Sequence, residues 1–382
     1  MYIETLFLKN FRNYSEETFS FGPFTNILVG ANAQGKTNLA EAVFFLCTGY
    51  SPKATKEKEL IKKGETSCEI YAKANSDYGA VAMKAVLTAD GGKKFTINGA
   101  EVSKIGDIFG NINSVFFNPS ELKLVQESPE DRRRFMNVSL SEMSRPYFYA
   151  LCKYNKILSQ RNNLLKSGEY SVIRDTLSVW DEQLSGEAAK IFKLRNEFLS
   201  ELAPFAAEIH AAISGGEKLK ISPENSFKGT EEEIADLMFI ELKNSFEKDL
   251  RLGFTNVGPH REDIKFVLSG QDVRKYGSQG QQRTVALSLK LAEAEIFRKR
   301  FGEYPVLILD DVLSELDRKR QRELIKRITK MQTILTATHV ESPLLRGTGY
   351  KQFTVEGGRI IKEAEKLPKM KTEQKNNKNE KL

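Results

Sequence analysis

The chain has 382 residues, 40% hydrophobic and 29% charged, a mixture that suits two or three globular domains whose core needs no disulfide or metal staple. Lysine and arginine outnumber aspartate and glutamate by 58 to 51, for a net +7; so mild an excess permits a nucleic-acid surface without demanding one. No apolar run approaches the ~18 residues of a membrane span, the opening MYIETLFLKNF lacks a cleavable signal pattern, and Cys47, Cys68 and Cys152 form no CxxC pair or Cys/His cluster. A reduced, cytoplasmic protein without structural zinc is expected.

In chain order, TNILV at 25–29 reads as a short buried strand ending at Gly30. A helix is expected from Lys36, with Leu39, Ala42, Val43 and Leu46 at helical spacing. Residues 80–98 hold two strand-like runs, and Asn98-Gly99 between apolar positions signals a hairpin. SVFF at 114–117 reads as another buried strand. Over the first 125 residues, strands and short helices are expected to alternate.

At Ser128 the texture changes. Ser-Pro-Glu-Asp is a helix start: a hydroxyl cap, proline in the first turn, then acids at the positive end of the dipole. From there to about 250 the chain is rich in Leu, Lys and Glu with few strand signals, and Pro146, Gly168, Pro204 and Gly215-Gly216 are expected to divide it into several helices. This is a helical insertion with a short antiparallel hairpin arm; no heptad persists long enough for a coiled coil. Strand signals return after 255, with a pair joined at Gly270, a long helix over 280–300, the strand PVLILDD, a helix over 317–330 and the strand TILTAT. Residues 365–382 carry six Lys against three Glu with almost no apolar content and read as a disordered basic tail. Without it the net charge is about +4. The expected fold class is therefore α/β, with a discontinuous domain at 1–127 and 256–364 and a helical insertion at 128–255.

Three segments carry chemistry. Residues 30–37, GANAQGKT, fit G-x-x-x-x-G-K-[ST] between an apolar strand and a helix. Gly30 and Gly35 would let the backbone N–H groups of Ala31, Asn32, Ala33, Gln34 and Asn38 curl about a phosphate at a helix N-terminus. Lys36 would reach the β- and γ-phosphates and Thr37 would coordinate Mg²⁺. The strand VLILDD places Asp310 to hold Mg²⁺ and Asp311 to polarise an attacking water. Such adjacent carboxylates repel, so a metal or a shifted pKa must relieve them. Third, YGSQGQQRT at 276–284 starts a long helix at Ser278, a second anion-directed helix start. By itself it reads first as a plain cap, and Ser314 or Asp317 could likewise be caps of the next helix.

These segments, in this order around a helical insertion, resemble the ABC-type ATPase heads of the SMC-like group, most nearly the RecF family of bacterial replication and repair proteins. LKNFRNY at 8–14, NPSEL at 118–122, PEDRRRF at 129–135, QRN at 160–162 and GPHRED at 258–263 extend the resemblance over about residues 1–340. It implies that Ser278, Gln279, Gly280, Gln281 and Gln282 are a signature segment contacting the γ-phosphate held by a second molecule in a head-to-tail dimer. Ser314 to Asp317 would reach the dimer seam, and His339 would sit at a switch position. Where the wider pattern has Glu, this chain has Asp311, one carbon shorter, which favours slow, gated turnover. The glutamine that many ABC proteins carry after an earlier strand has no counterpart near Phe117-Asn118, and Lys53 stands where Arg is expected.

The resemblance further implies a slow, DNA-stimulated ATPase that uses ATP and Mg²⁺ to gate binding of duplex, gapped or junction DNA. Implied partners are RecR, RecO and RecA, acting on single strands coated by SSB. Two other readings stay open on the sequence: a P-loop kinase of a small metabolite, and a module that uses ATP only to dimerise. Arg132-Arg133-Arg134 and the Lys and Arg residues along 153–194 are candidate DNA contacts. His260, in a Gly-Pro turn, reads as a loop-fixing hydrogen-bond partner, and His210, Trp180 and Phe135 as helix packing.

Overall fold

The computed structural model describes residues 1–167, 170–345 and 347–367. The chain opens with β1 (Tyr2–Phe11), β2 (Tyr14–Ser20), β3 (Thr25–Val29) and helix α1 (Lys36–Thr48). There follow β4 (Ser67–Ser76), β5 (Gly79–Thr88), β6 (Lys93–Ile97), β7 (Ala100–Glu101) and β8 (Ser114–Phe117). The helical stretch comprises α2 (Lys123–Gln126), α3 (Pro129–Met143), α4 (Arg145–Ser167) and α5 (Tyr170–Ser214). After β9 (Leu219–Pro223) come α6 (Glu231–Asn244) and α7 (Phe246–Leu252). The last third holds β10 (Ile264–Leu268), β11 (Gln271–Asp272), α8 (Val273–Tyr276) and α9 (Gln279–Phe301). It ends with β12 (Val306–Asp310), α10 (Arg318–Ile328), β13 (Thr333–Ala337), β14 (Tyr350–Glu356) and β15 (Arg359–Lys366).

The central sheet has the order β15-β14-β3-β13-β12-β8, parallel except for β15. Its inner strands are apolar at nearly every position because both faces are covered. Successive residues point to opposite cores. Ile27, Val115, Phe117, Leu307, Leu309 and Leu335 enter one core with α3, α5 and α9. Leu28, Phe116, Ile308 and Ile334 enter the other with α1 and the first strands. That second core is closed by an antiparallel sheet, β2-β1-β4-β5-β6-β7. The buried Gln332 amide joins the layers: Ile3 N donates to its Oε1, and its Nε2 donates to Ile3 O and Gly22 O.

Several expectations change. The first 101 residues are mainly antiparallel sheet, with one α-helix, α1, in place of regular alternation. Asn98-Gly99 does turn β6 into β7, both residues at positive φ. Pro204 does not break the insertion; α5 runs 45 residues through it. Pro204 is exposed, so the Ser200 carbonyl that loses its helical partner faces water, while Leu202 and Ala206 keep the buried face packed. Strand β9, within the helical stretch, pairs with β10 across the following helices. The segment 350–366 forms a hairpin, so Glu365 and Lys366 belong to β15 rather than to a tail; residues 368–382, with Gly168, lie outside the described residues.

The insertion is held at its base by buried arginines. Arg161 gives Nε to Asp181 at 2.7 Å, and Nη1 to Asp249 and Thr255, both at 2.8 Å. Arg195 gives Nη1 to Glu262 at 2.6 Å and to Pro259 O at 2.8 Å. Phe135 and His210 are buried and Trp180 packs against the larger core. Replacing Arg161 by Met keeps the volume but strands two buried carboxylates, and is expected to cost roughly 3–5 kcal/mol of stability. Urea unfolding of the two proteins measures it.

Candidate functional site

The loop 30–37 is shaped by backbone that only certain residues accept. A Cβ on Gly30 would lie 2.3 Å from Val355 O, so β14 runs directly against the loop. Ala33 and Gly35 take φ values of 64° and 116°, left-handed geometry that turns the chain into α1. The tip, Ala31 to Ala33, is exposed, whereas Gly35 and Lys36 are buried. Lys36 Nζ donates to Gly30 O and Ala31 O, both at 2.7 Å, which holds the ammonium over the loop. Burial pulls its pKa down, and the Asp311 and Asp310 carboxylates push it back up.

Two neighbours brace the loop. In the turn between β1 and β2, Asn13 donates to Gln34 O at 3.0 Å and accepts from Asn38 Nδ2 at 2.8 Å, and Tyr14 donates to Gly35 O at 3.0 Å. In the turn between β14 and β15, Gly358 N donates to Gln34 O at 2.9 Å and Gly357 N to Gln34 Oε1 at 2.7 Å.

Asp310 ends β12 and is 2% exposed. Its Oδ1 accepts from Thr37 Oγ1 and from Thr336 Oγ1, each at 2.7 Å, and Lys53 Nζ stands 3.5 Å from its Oδ2. Asp311 has a φ of 55°, and its N–H reaches Thr336 O at 3.2 Å and Oγ1 at 3.0 Å. Its buried Oδ1 has no hydrogen-bond partner among the described residues. One cleft is lined by residues 32–38 together with Asp311 and Thr336. It thus gathers backbone N–H groups, an ammonium, the Thr37 hydroxyl with Asp310 buried behind it, and the Asp311 carboxylate with a free oxygen. The hard oxygens of Thr37 and Asp310 suit Mg²⁺. No cluster of three or more metal-binding side chains exists among the described residues, so a cation there would be shared with a phosphate ligand.

The signature segment lies outside that cleft. Ser278 caps α9: its Oγ accepts from Gln281 N at 3.3 Å, and Gln281 Oε1 accepts from Ser278 N at 2.9 Å. Gln281 Nε2 donates to Glu217 Oε1 at 2.7 Å, tying α9 to the turn between α5 and β9. Ser278 and Gln279 are exposed and Gly280 is partly so, but Gln282 faces inward, donating to Val273 O at 3.1 Å and accepting from Gln126 at 2.8 Å. Arg283, one residue on, is ion-paired with Glu315, which sets the start of α9 beside the loop after Asp311. In that loop Ser314 Oγ donates to Asp311 O at 2.9 Å, and Asp317 caps α10 through the N–H groups of Lys319 and Arg320, both at 2.9 Å. His339 is exposed beyond β13 and does not line the cleft.

A sequence profile described as the RecF/RecN/SMC N-terminal domain matches residues 2–343. The "DNA replication and repair protein RecF" of Lachnoclostridium phytofermentans is 45% identical over 343 residues, which is 89% of this chain and 94% of that one. The chain belongs to the RecF family. The RecF of Halalkalibacterium halodurans is 43% identical over 348 residues, with 89% and 94% of the two chains covered. Among solved structures, the recombination mediator protein RecF with ATP, of the RecFOR pathway, is 34% identical with a TM-score of 0.85, over 96% of this chain and 98% of that one. An Smc head bound to the C-terminal winged-helix domain of ScpA, 18% identical with a TM-score of 0.57 over 96% and 98% of the chains, shares the fold.

Within this RecF-family chain, sequence reasoning noted Lys53 only as standing where Arg is expected and Asn13 only within LKNFRNY, assigned neither a contact, and missed Thr336 and the Gly357-Gly358 turn. Short motifs gave no signal for them, because each reaches the loop or Asp310 from a distant part of the chain. Lys53 is positioned by a relay: Arg12 donates to Glu41 at 2.8 and 2.9 Å, Ser51 Oγ donates to Glu41 at 2.5 Å, and Lys53 N donates to Ser51 Oγ at 3.1 Å.

His260 has the loop-fixing geometry. Its Nδ1 meets Tyr154 OH at 2.6 Å and its Nε2 meets Thr255 O at 3.0 Å, so the neutral ring donates from Nε2 and accepts at Nδ1. Burial holds its pKa down to about 4 from the ordinary 6.5. A depressed folded pKa means that the unfolded chain takes up the proton first, so His260 stabilises the fold above pH ~6.5 and loses that contribution as pH falls toward ~4. His260→Gln is expected to shrink the loss of stability between pH 7.5 and pH 5, read by urea unfolding. Equal losses in variant and wild type would refute this.

Proposed function

We propose that the chain is an ATP-dependent DNA-binding protein of replication and recombinational repair, working as an ATP-gated head-to-tail homodimer. One observation carries the reading. The chain has two glycine-containing helix starts, yet its own cleft is lined by only the first, and the second is exposed beside the loop that follows Asp311. A second copy would present Ser278, Gln279 and Gly280 to the γ-phosphate held by the first, with Ser314 and Asp317 at the seam. Gln282 is turned inward and would act by fixing this turn. His339, exposed at the end of β13, is the switch candidate.

In the cleft, N–H groups of residues 31–38 receive the phosphate oxygens, and Lys36 exchanges the carbonyls of Gly30 and Ala31 for the β- and γ-phosphates. Mg²⁺, held by Thr37 and Asp310, would supply charge neutralisation on the phosphates. Asp311, with its unengaged Oδ1 at the cleft wall, accepts a proton from the attacking water. Its reach is short, so hydrolysis is slow and DNA stimulates it by closing the dimer. Residues 1–127 and 256–366 serve as the head, which ends with β15, and 128–255 as its arm. The family resemblance supports binding of duplex, gapped or junction DNA, and work with RecR, and with RecO, to place RecA on single strands. The relatives' names and the RecF–ATP complex support ATP and DNA repair at the coarser level.

DNA binding measured with ATP, ADP and no nucleotide at two salt concentrations tests the whole reading: tight binding with ATP alone is expected, and none under any condition would overturn it. Light scattering should show ATP-dependent dimers in the wild type and none in Lys36→Ala, which cannot hold the γ-phosphate, or in Ser278→Arg, which still binds ATP. Nucleotide-independent dimers would remove the gating. Asp311→Asn is expected to slow single-turnover ATP loss at least ~100-fold, the low end for a general base, and to prolong the dimer. An unchanged rate would show that Asp311 is not the base.

A further inference from the structure

The three consecutive arginines at the start of α3 have three different fates. Arg132 is buried; its Nε and Nη2 go to the Asp263 carboxylate, and its Nη1 to Leu124 O and Glu127 O. Arg134 is exposed and paired with Asp131 at 2.7 Å. Arg133 is half-buried. Its Nη1 donates to Glu262 O at 2.9 Å, but it forms no ion pair among the described residues.

Arg133 lines an open cleft at the base of the arm, between α3, α4, α5 and the turn at 259–261. Arg134 and Arg195 share that wall, and Glu130 is the one carboxylate in it among the described residues. Arg195 is already matched by Glu262 at 2.6 Å, and both ring nitrogens of His260 are engaged. The guanidinium in this cleft without an ion pair among the described residues is therefore that of Arg133, with Glu130 and Asp263 its more distant acidic neighbours. Burial and the adjacent Arg195 guanidinium pull its pKa down, only partly offset by the Asp263 and Glu130 carboxylates. An anion arriving here would relieve that repulsion and accept charge-assisted hydrogen bonds from a planar fork.

We infer that this cleft receives one backbone phosphodiester of bound DNA, with Arg133 as its receptor. The inference rests on the DNA-binding reading above. The charge balance favours a phosphodiester, which carries a single negative charge, because one guanidinium is free and Glu130 would repel a more highly charged phosphate. The opening to solvent suits a polymer backbone that passes across the cleft. The contact positions DNA against the arm and carries no sequence information.

The test is ATP-dependent binding of duplex DNA to the full chain, titrated between about 50 and 200 mM salt. Arg133→Gln is expected to weaken binding at low salt and to make the slope of log K against log salt shallower by about 0.9, one phosphate contact. ATP binding should be unchanged. Asn155→Asp, which puts a carboxylate into the exposed wall of the same cleft, should weaken DNA binding without touching the Glu262 contact, and decides the matter if Arg133→Gln does not fold. Wild-type DNA binding with both variants unaltered in affinity and slope would overturn the cleft and leave the general function standing. Failure of the wild type to bind DNA would overturn both.

Discussion

One carboxylate oxygen holds the nucleotide face of this head together. Asp310 Oδ1 accepts hydroxyls from α1 and from β13 while its own backbone ends β12. Three elements far apart in sequence therefore converge within hydrogen-bond distance of one atom. The acid is buried, and a buried carboxylate persists only where donors are supplied. Thr37 and Thr336 supply them, and the Lys53 ammonium stands 3.5 Å away as an ion-pair partner. Any ligand that draws Asp310 or Thr37 toward a metal must therefore disturb Thr336, whose hydroxyl and carbonyl also hold the Asp311 N–H. The two acids are coupled through a threonine rather than through each other.

The parts of this site that were legible in the sequence are those whose chemistry is local. A phosphate loop needs glycines at fixed spacing, and an acidic strand end needs an apolar run before it, so Gly30 to Thr37 and Asp310-Asp311 stand out. The expected helix at Lys36, the cap at Ser128 and the turn at Asn98-Gly99 are local for the same reason. What was hidden depends on distant pairing. Lys53 is an unremarkable loop residue until Ser51 and Glu41 aim it at Asp310. Strand β9 is five residues of weak alternation, recognisable only beside β10. Pro204 looked like a helix stop because propensity ignores which face meets water.

The helical arm is organised by charge pairs that burial makes obligatory. Arg161 and Arg195 each satisfy several buried acceptors, and Lys153 and Lys190 share Glu187 at 2.7 and 3.0 Å. Along 153–194, Arg161 is thus structural and Lys153 and Lys190 are surface-paired, which narrows the residues left over for a polyanion. A run such as Arg132-Arg133-Arg134 is uniform in sequence, yet it spans a core strut, a surface pair and a free charge.

The sheet order has a consequence for how the chain is made. Strand β3, which launches the phosphate loop, is flanked by β13 on one side and β14 on the other. Both are synthesised after the arm. A nascent chain therefore carries β3 with two open edges, and α1 without its sheet, while the whole arm is being synthesised. The arm shares its core with α9 and the central sheet, so neither part closes before the last third of the chain is made. During translation the glycine-rich turn remains an unsupported loop, competent for nothing until the final strands slide in around it. Premature termination anywhere before residue 350 would yield not a weakened head but an aggregation-prone fragment with exposed strand edges, and so a natural client for chaperones.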